Sequence, residues 1–317
     1  MATLAAPSKK VASARPRLLS AAEQTRGSWA THLREPGEVP VAFREFYAGL
    51  SLAPGEFPYS VLTPSFEGFL HRQEPKVLCL LGSEINVVER RARGLRVTRF
   101  ATADVNYVQV GNALLRSWLQ LSGIAGGKLA SCSFQYSAVS QRLFDPFVEK
   151  VRAVPRADEA DLAAEREKFS YLAGEHYKFM NFARRSILPG EHVLGSLVQP
   201  AIRKPILRRL TRLVSPAHIA ILTDRELILV AEPRERFVVR GAPYGGTWNY
   251  VPLHRIAGVS LTPRDDRLVL WIELPGGERL KAVFAGANGE KARVFVRELE
   301  ERIARPGGAG AVERADA

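Results

Sequence analysis

The sequence predicts an α+β fold dominated by strands and built as two similar halves joined by a long amphipathic helix. Three observations predict it: an internal duplication, short alternating segments between turn signals, and one amphipathic helix closing each half. With 317 residues, 46% of them apolar and 25% charged, the chain has the composition of a folded protein of two domains. Each half is expected to form a bent sheet or barrel whose C-terminal helix caps one open end.

The duplication depends on four pairs of segments that recur in the same order, with an offset that grows in steps from 135 to 148 residues. Insertions in loops shift the offset of a true repeat in this way, whereas chance matches would scatter. The pairs are Pro54–Glu56 with Pro189–Glu191, Leu80–Val88 with Leu222–Val230, Asn106–Val110 with Asn249–Leu253, and Phe147–Val148 with Phe295–Val296.

The second half shows the strand pattern most clearly. Ile219–Leu222 and Leu227–Val230 flank a Thr-Asp-Arg-Glu turn, which predicts a hairpin. Strands are also expected at residues 256–261, 268–274 and 279–284, the last from its alternation of polar and apolar residues. Ala292, Phe295, Val296, Leu299 and Ile303 form the apolar stripe of the closing helix.

Helical patterns precede and close the first half. Pro40 begins a short helix with Phe43 and Phe46 on its apolar face, and residues 143–151 form the closing helix. One long helix is expected over Asp158–Ile187, with acidic residues at its start and Arg184-Arg185 at its end, as the helix dipole favours. Its apolar stripe consists of Leu162, Phe169, Leu172, His176, Phe179 and Ala183.

These patterns divide the chain into five parts. Residues 1–38 are expected to be a disordered basic arm, for which a targeting leader is the open alternative. Residues 39–153 form the first domain with its leading helix, 154–188 a helical linker, and 189–305 the second domain. Residues 306–317 are expected to be a disordered tail.

Two segments of the second half carry a resemblance to a known family. They are Thr223-Asp-Arg-Glu-Leu-Ile-Leu and Tyr250-Val-Pro-Leu-His-Arg-Ile-Ala-Gly-Val. Through them residues 190–305 resemble a bacterial pleckstrin-homology-like domain. Residues 55–153 resemble it more weakly, since Gln109 replaces the proline. The resemblance implies two tandem domains, each a seven-stranded, strongly bent sheet with a capping helix. It also implies a binding scaffold without catalytic residues.

The sequence contains no recognisable catalytic or metal-binding motif. The six histidines lack metal-ligand spacing, and no nucleophile elbow or phosphate loop occurs. Cys79 lies among leucines in a predicted strand and is expected to be a core residue, whereas Cys132 alternates with serines in a predicted strand and can lie on one face of it; two cysteines fit a reducing compartment. We therefore expect no enzyme activity, no cofactor and no metal.

Two basic clusters stand out in a chain whose net charge is +12. One lies between the first two strands of the second half, with no acidic residue from Glu191 to Asp224: Arg203, Lys204, Arg208, Arg209 and Arg212. It is the predicted anion-binding segment. The secondary basic cluster is expected in a loop of the first half: Arg90, Arg91, Arg93, Arg96 and Arg99. Either cluster has the alternative of a solvated surface that only aids solubility.

The functional expectation is a non-catalytic binding protein that contacts an anionic membrane surface or a protein partner through its basic segments. No apolar run reaches the length of a transmembrane helix, so a cytoplasmic location is expected, with peripheral membrane binding. Two alternatives stay open. The charge favours a nucleic-acid-binding protein, although stacking aromatic residues are missing from the clusters. An enzyme whose site is assembled from distant residues would leave no local motif.

Overall fold

The computed structural model describes residues 29–53, 55–67, 72–153, 159–207, 210–233 and 245–305. Within these ranges the fold is α+β and strand-dominated, as the sequence predicts, and the paired strands run antiparallel. No sheet in the described ranges closes into a barrel, so of the two expected forms the closed barrel is absent there.

Ten strands are described in the first half. They are β1 (Thr31–Leu33), β2 (Tyr59–Leu62), β3 (Phe66–Glu67), β4 (Arg72–Gln73), β5 (Lys76–Leu81), β6 (Glu84–Arg91), β7 (Gly94–Ala101), β8 (Val105–Ala113), β9 (Arg116–Ala125) and β10 (Lys128–Ser137). A five-stranded sheet has the order β1-β2-β5-β6-β7, and β3 pairs with β4. The prediction that residues 1–38 are a disordered arm is wrong for the end of that range, because β1 belongs to the sheet and its Thr31 pairs with Leu62. Residues 1–28 of that arm lie outside the described residues.

In the second half, nine strands lie within the described ranges. They are β11 (Val193–Gln199), β12 (Ile202–Leu207), β13 (Leu210–Ser215), β14 (His218–Thr223), β15 (Glu226–Ala231), β16 (Gly246–Pro252), β17 (Gly258–Arg264), β18 (Arg267–Leu274) and β19 (Glu278–Ala285). The hairpin predicted around the Thr-Asp-Arg-Glu turn is confirmed, with Leu222 opposite Leu227. Strands β17, β18 and β19 form a three-stranded sheet, and β12 and β13 form a separate hairpin. The tail at 306–317 lies outside the described residues.

One seven-stranded sheet runs across both halves, in the order β10-β9-β8-β16-β15-β14-β11. Strands β8 and β16 are the junction, and Gln109 lies opposite Asn249. The side-chain amide of Gln109 donates to Asn249 Oδ1 at 2.7 Å and accepts a hydrogen bond from the Trp118 indole at 3.2 Å. The halves are thus joined by backbone pairing as well as by packed side chains.

This junction corrects one part of the internal alignment. Asn106–Val110 and Asn249–Leu253 were aligned as equivalents. The first segment lies on β8 and most of the second lies on β16, and these two strands are neighbours in one sheet. Strand β8 follows a 3-10 turn at Thr102–Asp104, whereas β16 precedes one at Leu253–Arg255. A three-residue identity on two similarly buried strands was too short to fix the register.

Five α-helices are described: α1 (Arg44–Ala48), α2 (Asp145–Arg152), α3 (Glu159–Glu167), α4 (Tyr177–Ser186) and α5 (Gly289–Ala304). Helices α2 and α5 are the predicted closing helices, and α1 continues from a 3-10 turn with Phe43 and Phe46 buried, as predicted.

The prediction of one long helix over Asp158–Ile187 is wrong. After Glu167 the chain passes through a 3-10 turn at Ser170–Leu172, and α4 begins only at Tyr177. Arg166 Nε donates to Arg184 O at 2.9 Å, and Arg184 Nε donates to Arg166 O at 3.1 Å. A continuous helix would hold these residues roughly 27 Å apart, so α3 and α4 fold back on each other. His176 is the residue before α4, not a residue on a helix face.

Both faces of β14 and β15 are buried, which explains their uninterrupted apolar sequence. Ile221, Ile228 and residues of α4 such as Phe179 belong to a cluster that continues into the first half. Leu222 and neighbouring side chains on the opposite face pack with α5 and the three-stranded sheet. Helix α4 therefore packs against one face of the seven-stranded sheet.

Alanine at Gly123 is expected to lower the free energy of unfolding by about 2 kcal/mol. A Cβ there would lie 2.4 Å from Asp104 O and 2.7 Å from Val105 Cα, both backbone atoms at an irregular pairing of β8 with β9. Gly174→Ala is the control, because a Cβ at Gly174 meets nothing within 4 Å. Denaturant unfolding of both variants checks the prediction, and equal stabilities would contradict it.

Candidate functional site

The predicted anion-binding segment forms a hairpin of β12 and β13, which we call the basic hairpin (residues 202–215). Arg203, Lys204 and Arg212 are exposed, while Arg208 and Arg209 lie outside the described residues. Lys204 lies directly opposite Arg212 in the hairpin register. Like charges in directly opposed positions destabilise a strand pair, so folding alone gives no reason for this arrangement.

Further cations join the basic hairpin around a cavity of about 370 Å³, which we call the cationic cavity. Its charged lining consists of Lys204, Arg212, Arg264, Asp265, Arg267 and Lys281. Its apolar lining includes Leu213, Val269 and Trp271. The cavity thus lies between the basic hairpin and the three-stranded sheet.

The cationic cavity carries an excess of positive charge. Arg267 is neutralised by Asp265 and Asp266, with contacts of 2.8 and 3.2 Å. Among the described residues, no carboxylate lies within ion-pair distance of Lys204, Arg212, Arg264 or Lys281. Side chains of this kind, converging on one cavity, are suited to charge-assisted hydrogen bonds with a phosphate.

An interdomain role for the basic hairpin would require carboxylates from the preceding helical segment. Glu165 instead contacts Lys168 at 2.7 Å and accepts a hydrogen bond from the backbone of Val193. Glu167 contacts Arg184 at 3.0 Å. These two carboxylates therefore leave the described cations of the basic hairpin unpaired.

The secondary basic cluster is on strands rather than in the predicted loop. Arg90 and Arg91 lie on β6, Arg96 and Arg99 on β7, and Arg93 in the turn between them. Val88 and Val97 pack in one apolar cluster and Phe100, on the opposite face of the hairpin, packs in another, so buried residues on both faces hold the strands in place. Glu89 contacts Arg91 at 2.8 Å and reduces the excess charge there.

Another cavity, of about 510 Å³, lies between the seven-stranded sheet and β19. His218 lines it, and its Nδ1 donates to Pro216 O at 3.0 Å. Burial lowers the pKa of His218, so its ring is neutral near pH 7. Its Nε2 has no hydrogen-bond partner among the described residues. The sequence around His218 contains no pattern that would have predicted its place in the lining of a cavity.

Ionisable groups elsewhere form no metal-binding cluster of three or more in the part of the chain that is described. Cys79 is buried, as predicted, and Cys132 is buried as well. Burial raises the pKa of Cys79 to about 11 and also raises that of Cys132, so both thiols stay protonated at neutral pH.

A buried ionic network, which sequence reasoning missed, joins the two halves. Arg152, at the end of α2, donates from its Nε to Glu226 Oε1 at 2.9 Å and also bonds it through a terminal nitrogen. The same guanidinium donates to Ser186 O at 2.6 Å and lies 3.5 Å from Glu191. It also stacks over the Tyr250 ring at 3.8 Å. Arg152, Glu191 and Glu226 are almost completely buried, so the network is a structural junction.

No helix in the described ranges is long and apolar enough to cross a membrane. The chain matches no protein-family model, and no curated protein matches it in sequence.

Proposed function

We propose that this chain is a non-catalytic binding protein of two pleckstrin-homology-like units, and that the second unit binds phosphate groups on an anionic membrane surface. Separate observations support the two-unit architecture and the phosphate ligand.

The order of elements in each half supports the architecture. In the first half β2, β5, β6 and β7 precede β8, β9 and β10, and α2 follows. In the second half β11, β14, β15 and β16 precede β17, β18 and β19, and α5 follows. Seven strands followed by a C-terminal helix are the order expected from the family resemblance.

A corrected alignment gives further support. Phe100, Val105 and Val108 have the same spacing as Val251, Ile256 and Val259. In both halves the first residue is the next-to-last residue of the fourth strand, a 3-10 turn follows that strand, and the third residue lies on the fifth strand. The offset at this point is 151 residues in place of the 143 of the first alignment.

The excess positive charge of the cationic cavity is the observation that supports phosphate as the ligand. Lipid phosphates offer several oxygens to cations that the described carboxylates leave unpaired. Ile206, next to the hairpin turn, is 61% exposed. An exposed apolar side chain between basic residues suits the boundary between headgroups and acyl chains.

Sedimentation with vesicles containing phosphatidylserine checks the proposal. The Lys204→Glu/Arg212→Glu variant is expected to bind about 2 kcal/mol more weakly, a loss of roughly thirtyfold, because each basic residue near such a surface contributes about 1 kcal/mol. Binding by the unaltered protein should also weaken as salt rises, since screening shortens the range of the attraction to about 8 Å at 0.15 M.

The matched control carries the same charge change in the secondary basic cluster, as Arg93→Glu/Arg96→Glu. It should bind nearly as well as the unaltered protein. Equal losses in both variants would show that only net charge matters, and absence of binding by the unaltered protein would overturn the ligand part of the proposal. Binding to an oligonucleotide in preference to vesicles would favour the nucleic-acid alternative.

A further inference from the structure

Two leucines project into solvent at the turn between β8 and β9, which we call the apolar turn (Leu114–Leu115). Leu114 is 74% exposed and Leu115 is 77% exposed. Val139, 66% exposed, follows Ala138, whose backbone N–H donates to Leu115 O at 2.8 Å. The exposed side chains therefore belong to neighbouring stretches of one surface.

The backbone at the apolar turn makes leucine an unfavourable choice. Leu114 has φ +55°, a left-handed conformation that is unfavourable for a leucine side chain and that glycine adopts freely. Two-residue hairpin turns usually have glycine, asparagine or aspartate at such a position. Neither burial nor backbone geometry accounts for leucine here, which points to a contact outside the fold.

Strand register puts the apolar turn and the basic hairpin at the same end of the seven-stranded sheet. Asn112, just before the turn, lies opposite Gly246 at the start of β16. Ala231 ends β15 and lies opposite His218, which begins β14 and in turn lies opposite Gln199. The basic hairpin begins three residues after Gln199. The four strand intervals between β8 and β11 correspond to roughly 19 Å.

Positive charge flanks the apolar turn. Arg116 follows it directly and is exposed, and its side chain donates to Gln135 Oε1 at 2.7 Å. Arg142, on the same 3-10 segment as Val139, is exposed as well. Apolar residues with a basic rim are the composition of a surface that enters an anionic bilayer.

We propose that the apolar turn inserts into the anionic membrane surface as a second contact beside the basic hairpin; this inference rests on the proposed function. A projecting two-residue turn fits the deformable headgroup layer without a preformed pocket. A second copy of the chain is a poor occupant, because a two-fold contact would bring Arg116 and Arg142 close to their own counterparts in a protein of net charge +12.

Site-specific labelling tests the insertion directly. Cys79 and Cys132 are the two cysteines of the chain and both are buried, so a thiol-reactive, polarity-sensitive fluorophore reacts selectively with an introduced Leu115→Cys. Val41→Cys is the matched control, since Val41 is also 77% exposed and lies beside Arg90 and Arg91. On vesicles containing phosphatidylserine, the label at 115 should shift to the blue and lose quenching by aqueous iodide, and the label at 41 should not.

The variant Leu114→Gly/Leu115→Asn separates insertion from folding. It should bind the vesicles about tenfold more weakly, because it loses two apolar side chains from the interface. Its midpoint of thermal unfolding should equal or exceed that of the unaltered protein, because the strain at Leu114 is relieved.

The outcomes distinguish the two proposals. If the unaltered protein binds through Lys204 and Arg212 but the label at 115 does not shift, the insertion is overturned and the proposed function stands. If the label at 41 shifts instead, the membrane contact lies at the secondary basic cluster and the insertion is overturned. If the unaltered protein does not bind, both proposals fail.

Discussion

Leucine in place of Arg152 is expected to lower the free energy of unfolding by about 4 kcal/mol. Removing the guanidinium leaves Glu226 buried without its cation and removes the only described positive charge beside Glu191. The variant also loses the hydrogen bond to Ser186 O and the stacking on Tyr250. Breaking one partner of a buried ionic network costs far more than losing an exposed pair, because the remaining charge stays desolvated.

Urea unfolding at pH 7 measures this effect. Arg185→Leu is the control, because Arg185 is exposed on neighbouring α4 and its replacement should change stability by about 0.5 kcal/mol or less. The triple variant Arg152→Leu/Glu191→Gln/Glu226→Gln should recover more than about 1 kcal/mol, since it removes the uncompensated charge. An Arg152→Leu variant as stable as the control would show that the network contributes little.

Stability is expected to fall as the pH rises from about 5 to about 8, through Glu191. Burial, together with the negative charge of Glu226, raises the pKa of Glu191 to about 8 from its ordinary value of 4.5. This outweighs the opposing effects of Arg152 and of the Leu188 N–H, which donates at 2.8 Å. The folded state then binds more protons than the unfolded chain between these two values, so unfolding becomes easier as the pH rises through them.

Glu191→Gln is expected to remove this dependence, because the amide does not ionise. Free energies of unfolding at pH 5, 6, 7, 8 and 9 should decline by a few kcal/mol for the unaltered protein and level off above about pH 8. Those of the variant should change much less over the same range. An identical decline in both proteins would assign the pH dependence to other groups.

Local sequence patterns predicted the strands and the turn whose conformation depends mainly on neighbouring residues in the sequence. Residues 279–284 alternate between a buried and a more exposed face, Leu268–Leu274 is a mainly apolar run, and both form strands. The turn at Thr223–Glu226 identified its hairpin, since Thr223 Oγ1 accepts from the backbone of Glu226 and fixes the turn locally.

Features that depend on distant residues could not be predicted. The apolar spacing of Leu162, Phe169, Leu172 and Phe179 is the same in one long helix as in two helices that fold back on each other. Gly174 was the one local signal of a break. The pairing of β8 with β16 leaves no local trace, because a strand shows which face is buried but not which partner it has.

The candidate site was predicted only in part, because some of its residues come from distant parts of the chain. A charge run without acidic residues identified the described cations Arg203, Lys204 and Arg212. Arg264, Arg267 and Lys281 lie more than fifty residues further along the chain, and only folding brings them to the cationic cavity. The Leu114–Leu115 turn was missed because two leucines in a sequence window indicate burial by default.

The junction of β8 with β16 has a consequence for synthesis on the ribosome. Strand β8 ends at Ala113 and its partner does not begin until Gly246. At 5–20 residues per second, roughly 7–27 s pass between the synthesis of the two strands, and β8 has an open edge for that time. An unpaired edge is a template for pairing with other chains. Nascent first halves on one polysome are therefore exposed to mutual β8 pairing, and a stop codon between the halves would make that hazard permanent.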